Sequence, residues 1–319
     1  MSAAAAAPAL PARRILVIKL GALGDMVLAM GPFAAIRAAH PRARLTLLTG
    51  PAFADLMRAS PWFDEVWTDP RPPLWQAWRH LALRARLRAA RFDRVYDLQT
   101  HRRTALYFRM LGPGPKPEWS GIAPGCSHPH ASPDRNRMHT IERQAAQLAI
   151  AGIPRVPPTD VSWLAAEIGH FALPARYVLL SPGASAGHAE KRWPADRYAE
   201  LATDLAARGI APVILGTPVE ADAAAAIGAA CPAAVSLIGR TSLAEIATLA
   251  RGALAAVGND TGPMHLIGAT GCPTVALFGP ASDPALCAPR GAAVTVIRRA
   301  DLAALPTGEV AAALAAAGA

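Results

Sequence analysis

Short apolar runs recur along this chain, each followed by a polar or glycine-bearing turn and then by a segment of helical periodicity. The first run, RRILVIKL at 13–20, is compact enough for a buried strand, and GALGD at 21–25 supplies the turn behind it. An apolar helix is predicted over 26–39, stopped by His40 and Pro41, because the residue before a proline is pushed out of the helical region. Strands are predicted at 44–49 and 65–67 with a short helix at 53–58 between them, then a basic helix over 74–91 and a strand at 94–98. From 111 to 134 Pro, Gly and His accumulate, which predicts one long irregular loop, and loops of that length are usually functional. A helix over 138–151 and a proline-rich linker at 152–160 close the first half.

The alternation then restarts, with strand 177–181, helix 195–208, strand 212–215, helix 219–229 and a short strand ending at 237–238. Helix 242–251 opens on a capping box, Ser242 with Glu245 three residues on. Strand 253–257 leads into the loop Asn259-Asp260-Thr261-Gly262, then helix 263–270 with Pro263 at a favoured first position, and strand 274–278. Two such halves predict an α/β protein of two doubly wound parallel sheets, domains 13–155 and 156–319 behind a disordered Ala- and Pro-rich tail at 1–12. Open sheets of this kind bind ligands beyond the carboxyl ends of their strands, so a cleft between two such edges is expected.

Composition narrows the classes. The four cysteines show neither a C-x-x-C pair nor partnered histidine spacing, which predicts reduced thiols in a cytoplasmic protein and not a disulfide framework or zinc site. The opening dozen residues lack a basic segment followed by an apolar one, and Lys19 and Asp25 interrupt the longest apolar stretch, so neither a signal peptide nor a membrane span is expected. The net charge of +9 is unevenly spread: residues 1–165 hold 22 Lys and Arg against 11 Asp and Glu, and the remainder is slightly acidic. A basic half suits a polyanion, whether nucleic acid, an anionic membrane surface or a phosphorylated glycolipid; arginines decorating solvated faces are the plainer account. Arg84, Arg88 and Arg91 form a basic stripe that suits phosphates or simply faces water. Its arginines lack interleaved aromatics and no nucleic-acid module is present, so nucleic acid is not an expected partner.

Candidate chemistry gathers at the turns. Asp25 follows the first strand, where Gly21 and Gly24 let the backbone turn tightly; a carboxylate there could take a proton from an attacking hydroxyl, or simply cap a helix. Thr261 or Asp260 could cap helix 263–270, whose N–H groups would then face a bound anion. Lys191, near the PGAS loop with Ser185, could neutralise a diphosphate, and Glu220 could hold a ribose diol or favour its helix dipole. His265 lies one turn into the helix, close enough to touch a phosphate or sugar, though a lone helix histidine is commonly just packed. Neither D-x-D, H-E-x-x-H, G-x-S-x-G nor a P-loop occurs, and the glycines after the first strand are not a dinucleotide fingerprint.

Taken in order, ILVIKLGALGD (15–25), RFDRVYDLQ (91–99), PGASAGHAEKRWPADRYAEL (182–201) and the long stretch 236–280 through VGNDTGPMH resemble glycosyltransferase family 9, the ADP-heptose:lipopolysaccharide heptosyltransferases. The resemblance implies a GT-B fold, two Rossmann-like domains facing a central cleft, with the N-terminal one binding the acceptor and the C-terminal one the nucleotide sugar. It implies an inverting transfer of heptose from ADP-heptose to a lipid-linked core saccharide, with neither metal nor cofactor. Asp25 falls on the catalytic position, and Ser185, Lys191, Glu220, Asp260, Thr261, Gly262 and His265 on donor-binding ones. Gly21, Gly24, Gln99 and Arg102 fall on the acceptor side. It further implies a protein peripheral to the cytoplasmic face of an anionic inner membrane. Where the family commonly has a polar residue after the aspartate, this chain reads Met26-Val27-Leu28-Ala29-Met30. A same-fold transferase using another nucleotide sugar, or a non-catalytic sugar-nucleotide binder, would share these motifs. An epimerase or dehydrogenase would need a dinucleotide fingerprint and a Tyr-x-x-x-Lys pair, both missing.

Overall fold

The computed structural model describes residues 12–73, 75–183 and 192–318. The chain divides into two compact units at the Pro158–Thr159 bond. In the first unit, β1 (Arg14–Ile18), β2 (Arg44–Thr49), β3 (Glu65–Thr68), β4 (Arg94–Asp97), β5 (Glu118–Gly121) and β6 (His128–Pro129) form one parallel sheet in the order β3-β2-β1-β4-β5-β6. After its first residue β1 is fully buried, as a strand covered on both faces must be. Its neighbours are in register with Ile15 opposite Leu45 on one side and Arg94 on the other.

The second unit repeats the plan with β7 (Tyr177–Ser181), β8 (Ala211–Ile214), β9 (Val235–Ser236), β10 (Ala255–Asn259), β11 (Thr274–Phe278) and β12 (Val294–Arg298), all parallel. Their order, β12-β11-β10-β7-β8-β9, mirrors the first sheet. Each sheet therefore reverses its winding between two central strands, β1 and β4 in one unit, β7 and β10 in the other. At such a switch point the loops leave in opposite directions and open a crevice at the carboxyl ends.

Helices cover both sheets: α1 (Leu23–Leu28), α2 (Met30–Ala39), α3 (Ala54–Arg58), α4 (Ala77–Ala90), α5 (Arg102–Met110) and α6 (Thr140–Ile150) in the first unit. The second has α7 (Ala195–Ala207), α8 (Ala221–Ala230), α9 (Leu243–Gly252), α10 (Gly262–Ala269), α11 (Pro284–Cys287) and α12 (Thr307–Ala317). Leu16, Ile18, Trp67, Tyr107 and Trp119 anchor the first core, and Trp193, Tyr198, Val257 and Leu277 the second. Among the described residues no helix is long and apolar enough to cross a membrane.

Two expectations need correction. The stretch 111–134 is not a single irregular loop, because it carries β5 and β6 and buries Trp119. The first helix starts at Leu23 and breaks at Ala29 into two pieces, so Asp25 lies inside its first turn. The whole run Met26 to Met30 is buried, so those positions serve the core. The box on α9 is present as predicted: the Ser242 amide donates to Glu245 Oε2 at 2.7 Å and the Glu245 amide to Ser242 Oγ at 3.2 Å.

Candidate active site

In the first unit the switch point brings the ends of β1 and β4 together. The Leu20 amide donates to Gln99 Oε1 at 2.8 Å, and the Gln99 amide returns to Ile18 O at 3.0 Å, tying the two loops. Gly21 takes φ +111°, and a Cβ there would lie 2.2 Å from the Phe53 ring, so only glycine fits this turn. Gly24 is buried in α1.

Asp25 is held from two directions. Its Oδ1 accepts from Lys19 Nζ at 3.2 Å, and its Oδ2 from the Ala22 amide at 3.3 Å. The carboxylate remains 41 % exposed while the Lys19 side chain is 4 % exposed. Lys19 Nζ also donates to Leu98 O at 3.4 Å. A buried ammonium thus fixes the orientation of a carboxylate that still reaches solvent, the arrangement a proton acceptor requires. Asp25 is both helix-start residue and candidate base, since its bond to Ala22 closes the first turn. In the sequence Lys19 is a charge breaking an apolar run; a lysine beside a buried strand needs a partner, and that need is its signal.

Beside this turn a cavity of about 500 Å³ is lined by Leu20, Arg71, Gln99, His101 and Arg103. Arg103 donates through both terminal nitrogens to Pro72 O at 3.1 Å. Arg102, expected on the acceptor side, is exposed on α5 and does not line the cavity; Arg103 and Arg71 do, two cations that sequence inspection passed over.

Asp97, at the end of β4, is fully buried. Its Oδ1 accepts from the amides of Gln99 at 3.1 Å and Thr100 at 3.0 Å. Burial pushes its carboxyl from 3.8 up to about 6, opposed by the Thr104 hydroxyl, those amides and Lys19. Oδ2 has no hydrogen-bond partner among the described residues, and neither has Trp119 Nε1. Gly121 leaves the space between them, since a Cβ there would sit 3.1 Å from Trp119 Nε1 and 3.4 Å from Asp97 Oδ2. Between pH 3.8 and about 6 the folded chain holds this proton more tightly than the unfolded chain, so stability falls as pH rises through that window. The fall is of order 2–3 kcal/mol. Asp97→Asn keeps the acceptor for both amides and cannot ionise, so its melting temperature should gain on the parent's as pH rises through that window; curves that stay parallel would refute this.

In the second unit the corresponding crevice has a volume of about 280 Å³, walled by Ser181, Gly183, Gly216, Thr217, Glu220, Thr261 and Gly262. Thr261 takes the N-cap position of α10 and Pro263 sits inside its first turn, but the Thr261 hydroxyl makes no cap bond. That hydroxyl has no hydrogen-bond partner among the described residues. The Asp260 carboxylate is engaged within the loop: its Oδ2 accepts from Ser282 Oγ at 2.6 Å, and its Oδ1 lies 3.9 Å from His265 Nε2. His265 is buried on α10 with Nδ1 unpartnered among the described residues. The positive end of an eight-residue helix, beside an unused hydroxyl, suits an anion.

Glu220 lines the same crevice and also serves locally. Its Oε2 accepts from the Thr217 amide and hydroxyl, each at 2.7 Å, closing a capping box. Gly183 leaves room for it, since a Cβ there would lie 2.9 Å from Glu220 Oε1; a Cβ at Gly216 would meet Ile238 Cδ1 at 2.8 Å and Glu220 Oε2 at 3.1 Å. Asn259 is the residue that sequence reasoning left without a role. It is fully buried; its Nδ2 donates to Pro182 O at 2.8 Å and Gly183 O at 3.0 Å. Its Oδ1 accepts from the Trp193 amide at 3.0 Å and the Tyr198 hydroxyl at 3.2 Å. One side chain thereby pins the turn after β7 to the end of β10. Ser185 and Lys191 lie outside the described residues. Three of the four cysteines are buried, and burial pushes the Cys272 thiol up to about 12, which makes it a poor nucleophile.

Two doubly wound parallel units in succession, each with its polar groups at the switch point, make up the GT-B fold. The model of "Glycosyltransferase family 9 (heptosyltransferase)" matches residues 80–314, and the chain belongs to that family. It is 28 % identical over 310 residues to lipopolysaccharide heptosyltransferase 2 of Escherichia coli K12, covering 89 % of this chain and 88 % of that protein. The solved structure of a family 9 glycosyl transferase from Veillonella parvula superposes with a TM-score of 0.82 at 20 % identity, covering 96 % of this chain and 97 % of that one. The E. coli ADP-heptose lipopolysaccharide heptosyltransferase II structure superposes at 0.76 with 25 % identity, covering 95 % and 98 %. The protein is a glycosyltransferase.

Proposed function

We propose that this glycosyltransferase moves a heptose from ADP-heptose to a lipid-linked lipopolysaccharide core acceptor, with inversion and without a metal. The observation that carries the reading is the solvent-reaching Asp25 carboxylate clamped by buried Lys19 at the switch point of the first unit. The names of the relatives supply the sugar, the donor and the acceptor class.

In this reading an acceptor hydroxyl attacks the anomeric carbon of the donor, and Asp25 takes its proton as the new glycosidic bond forms. The bond from the anomeric carbon to the diphosphate breaks on the opposite face, which inverts the centre. Charge on the departing ADP is met by Lys191, by the first amides of α10 and by the Thr261 hydroxyl; preorganised donors of this kind can do the work of a cation. Glu220, which lies against Gly183, is assigned to the ribose hydroxyls, and Ser185 and His265 are assigned to phosphate or sugar oxygens. Gln99, Gly21 and the cationic cavity of Arg71 and Arg103 are assigned to a phosphorylated acceptor, and the basic first half to the cytoplasmic face of an anionic membrane.

Donor profiling tests the whole reading. Turnover is expected with ADP-heptose and not with UDP- or GDP-hexoses, unchanged by EDTA, and giving a product of opposite anomeric configuration by NMR. Preference for another nucleotide sugar would transfer the site to a different polysaccharide, and loss of turnover in EDTA would restore a metal to the mechanism.

A further inference from the structure

The face made by α4 and α5 is unlike the rest of the surface. α4 buries only Leu87 and Ala90 among its fourteen residues. Trp75 is 72 % exposed, Trp78 61 % and Leu81 58 %, at the front of and along its first turns. The two indoles pack edge to face with centroids 6.3 Å apart, which leaves their outer faces to solvent. Next to them a groove of about 420 Å³ runs between the helices, floored by Ala77, Leu81, Leu106 and Met110 and rimmed by Arg84 and Arg109.

The charges on this face share one sign. α4 carries Arg79, Arg84, Arg86 and Arg88, α5 carries Arg102, Arg103 and Arg109, and neither helix holds an acidic residue. Arg86 is engaged elsewhere, stacked 3.7 Å over Trp67 and 3.9 Å from Glu65. Arg84 and Arg88 do not form the simple outward stripe of their spacing, since both guanidinium groups turn toward Gly112, within 3.4 and 3.5 Å of where its Cβ would lie.

We propose that Trp75, Trp78, Leu81 and the arginine-rimmed groove form the surface by which this protein docks on an anionic phospholipid bilayer. The inference rests on the membrane partnership proposed above and supplies its contact face. Exposed indoles suit the headgroup boundary, where an apolar ring and an N–H are both satisfied. Apolar side chains flanked by arginine, with no acidic neighbour on either helix, match an interfacial helix on an anionic leaflet. A second copy of the same face is the wrong occupant, because pairing would press like charges together.

Co-sedimentation of the full chain with phosphatidylcholine vesicles, with and without phosphatidylglycerol, tests the surface in the absence of any glycolipid acceptor. Binding is expected to be about ten-fold or more stronger with phosphatidylglycerol and to weaken as salt rises. The triple variant Trp75→Ser, Trp78→Ser, Leu81→Ser should lose at least about ten-fold in partitioning, and Arg84→Gln with Arg109→Gln should abolish the lipid preference. These side chains are exposed or on the groove rim, so a circular dichroism spectrum like the parent's and unchanged turnover on a deacylated, soluble acceptor are expected in both variants. Equal binding to both vesicle types, unaltered binding by the triple variant, retention on nucleic acid but not on vesicles, or a dimer dissolved by the same substitutions would each overturn the proposal. Absent turnover with intact vesicle binding would count against the proposed donor and acceptor alone.

Discussion

Replacing Asp25 by alanine is expected to lower turnover by roughly 100-fold or more while calorimetric affinity for ADP stays as it was. The carboxylate is the group at the first switch point that both reaches solvent and is fixed in direction, by Lys19 Nζ at 3.2 Å and the Ala22 amide at 3.3 Å. Removing it deletes the proton acceptor, and ADP is assigned to the loops after β7 and β10. Lys19→Met, which keeps the buried volume and deletes only the ammonium, should reduce turnover by about 10-fold, because the carboxylate persists but loses one of its two tethers. Parent-like turnover in Asp25→Ala would remove the base assignment, and a parallel collapse in ADP affinity would make Asp25 part of the donor pocket.

Replacing Asn259 by leucine should cost about 3–4 kcal/mol, because one fully buried side chain serves four partners and leucine serves none. The Trp193 amide and the carbonyls of Pro182 and Gly183 would be left without that partner in a dry environment. A drop in melting temperature of roughly 8–15 °C is expected. ADP affinity should fall as well, since Gly183 forms one wall of the crevice and would no longer be pinned against Glu220. Asp25→Ala and Asn259→Leu therefore have opposite signatures: chemistry lost with binding kept, and stability and binding lost together. An unchanged melting temperature for Asn259→Leu would show that the turn after β7 is held by other means.

The alternation of strands and helices was legible because a strand buried on both faces must be an unbroken apolar run, and RILVI, YVLLS and TVALF have no other stable use. The loops that follow the four central strands were legible for the same reason. Strands β5 and β6 were not, since EWSG and HP carry no apolar run of their own and join the sheet through backbone hydrogen bonds to an existing edge. Asp25 and the Thr261–Gly262 loop stand at the carboxyl ends of central strands, a placement that follows from the strand pattern alone. Arg103 and Arg71, and not Arg102, line the cavity beside Gln99, and helix spacing does not say which of two adjacent arginines turns toward a cavity.

By itself the chain of residues determined two parallel α/β units, the polar turns at the ends of their central strands, and membership in a family of sugar transferases. It did so because burial period and turn composition are local properties, readable over a few neighbours. Tertiary structure alone decided that Lys19 orients Asp25, that Asp97 is sealed beside Trp119, that Asn259 joins groups up to 77 residues away, and that Trp75 and Trp78 face water. Those outcomes depend on which elements become neighbours once the sheets close, and no local pattern contains the distance between atoms so far apart in sequence.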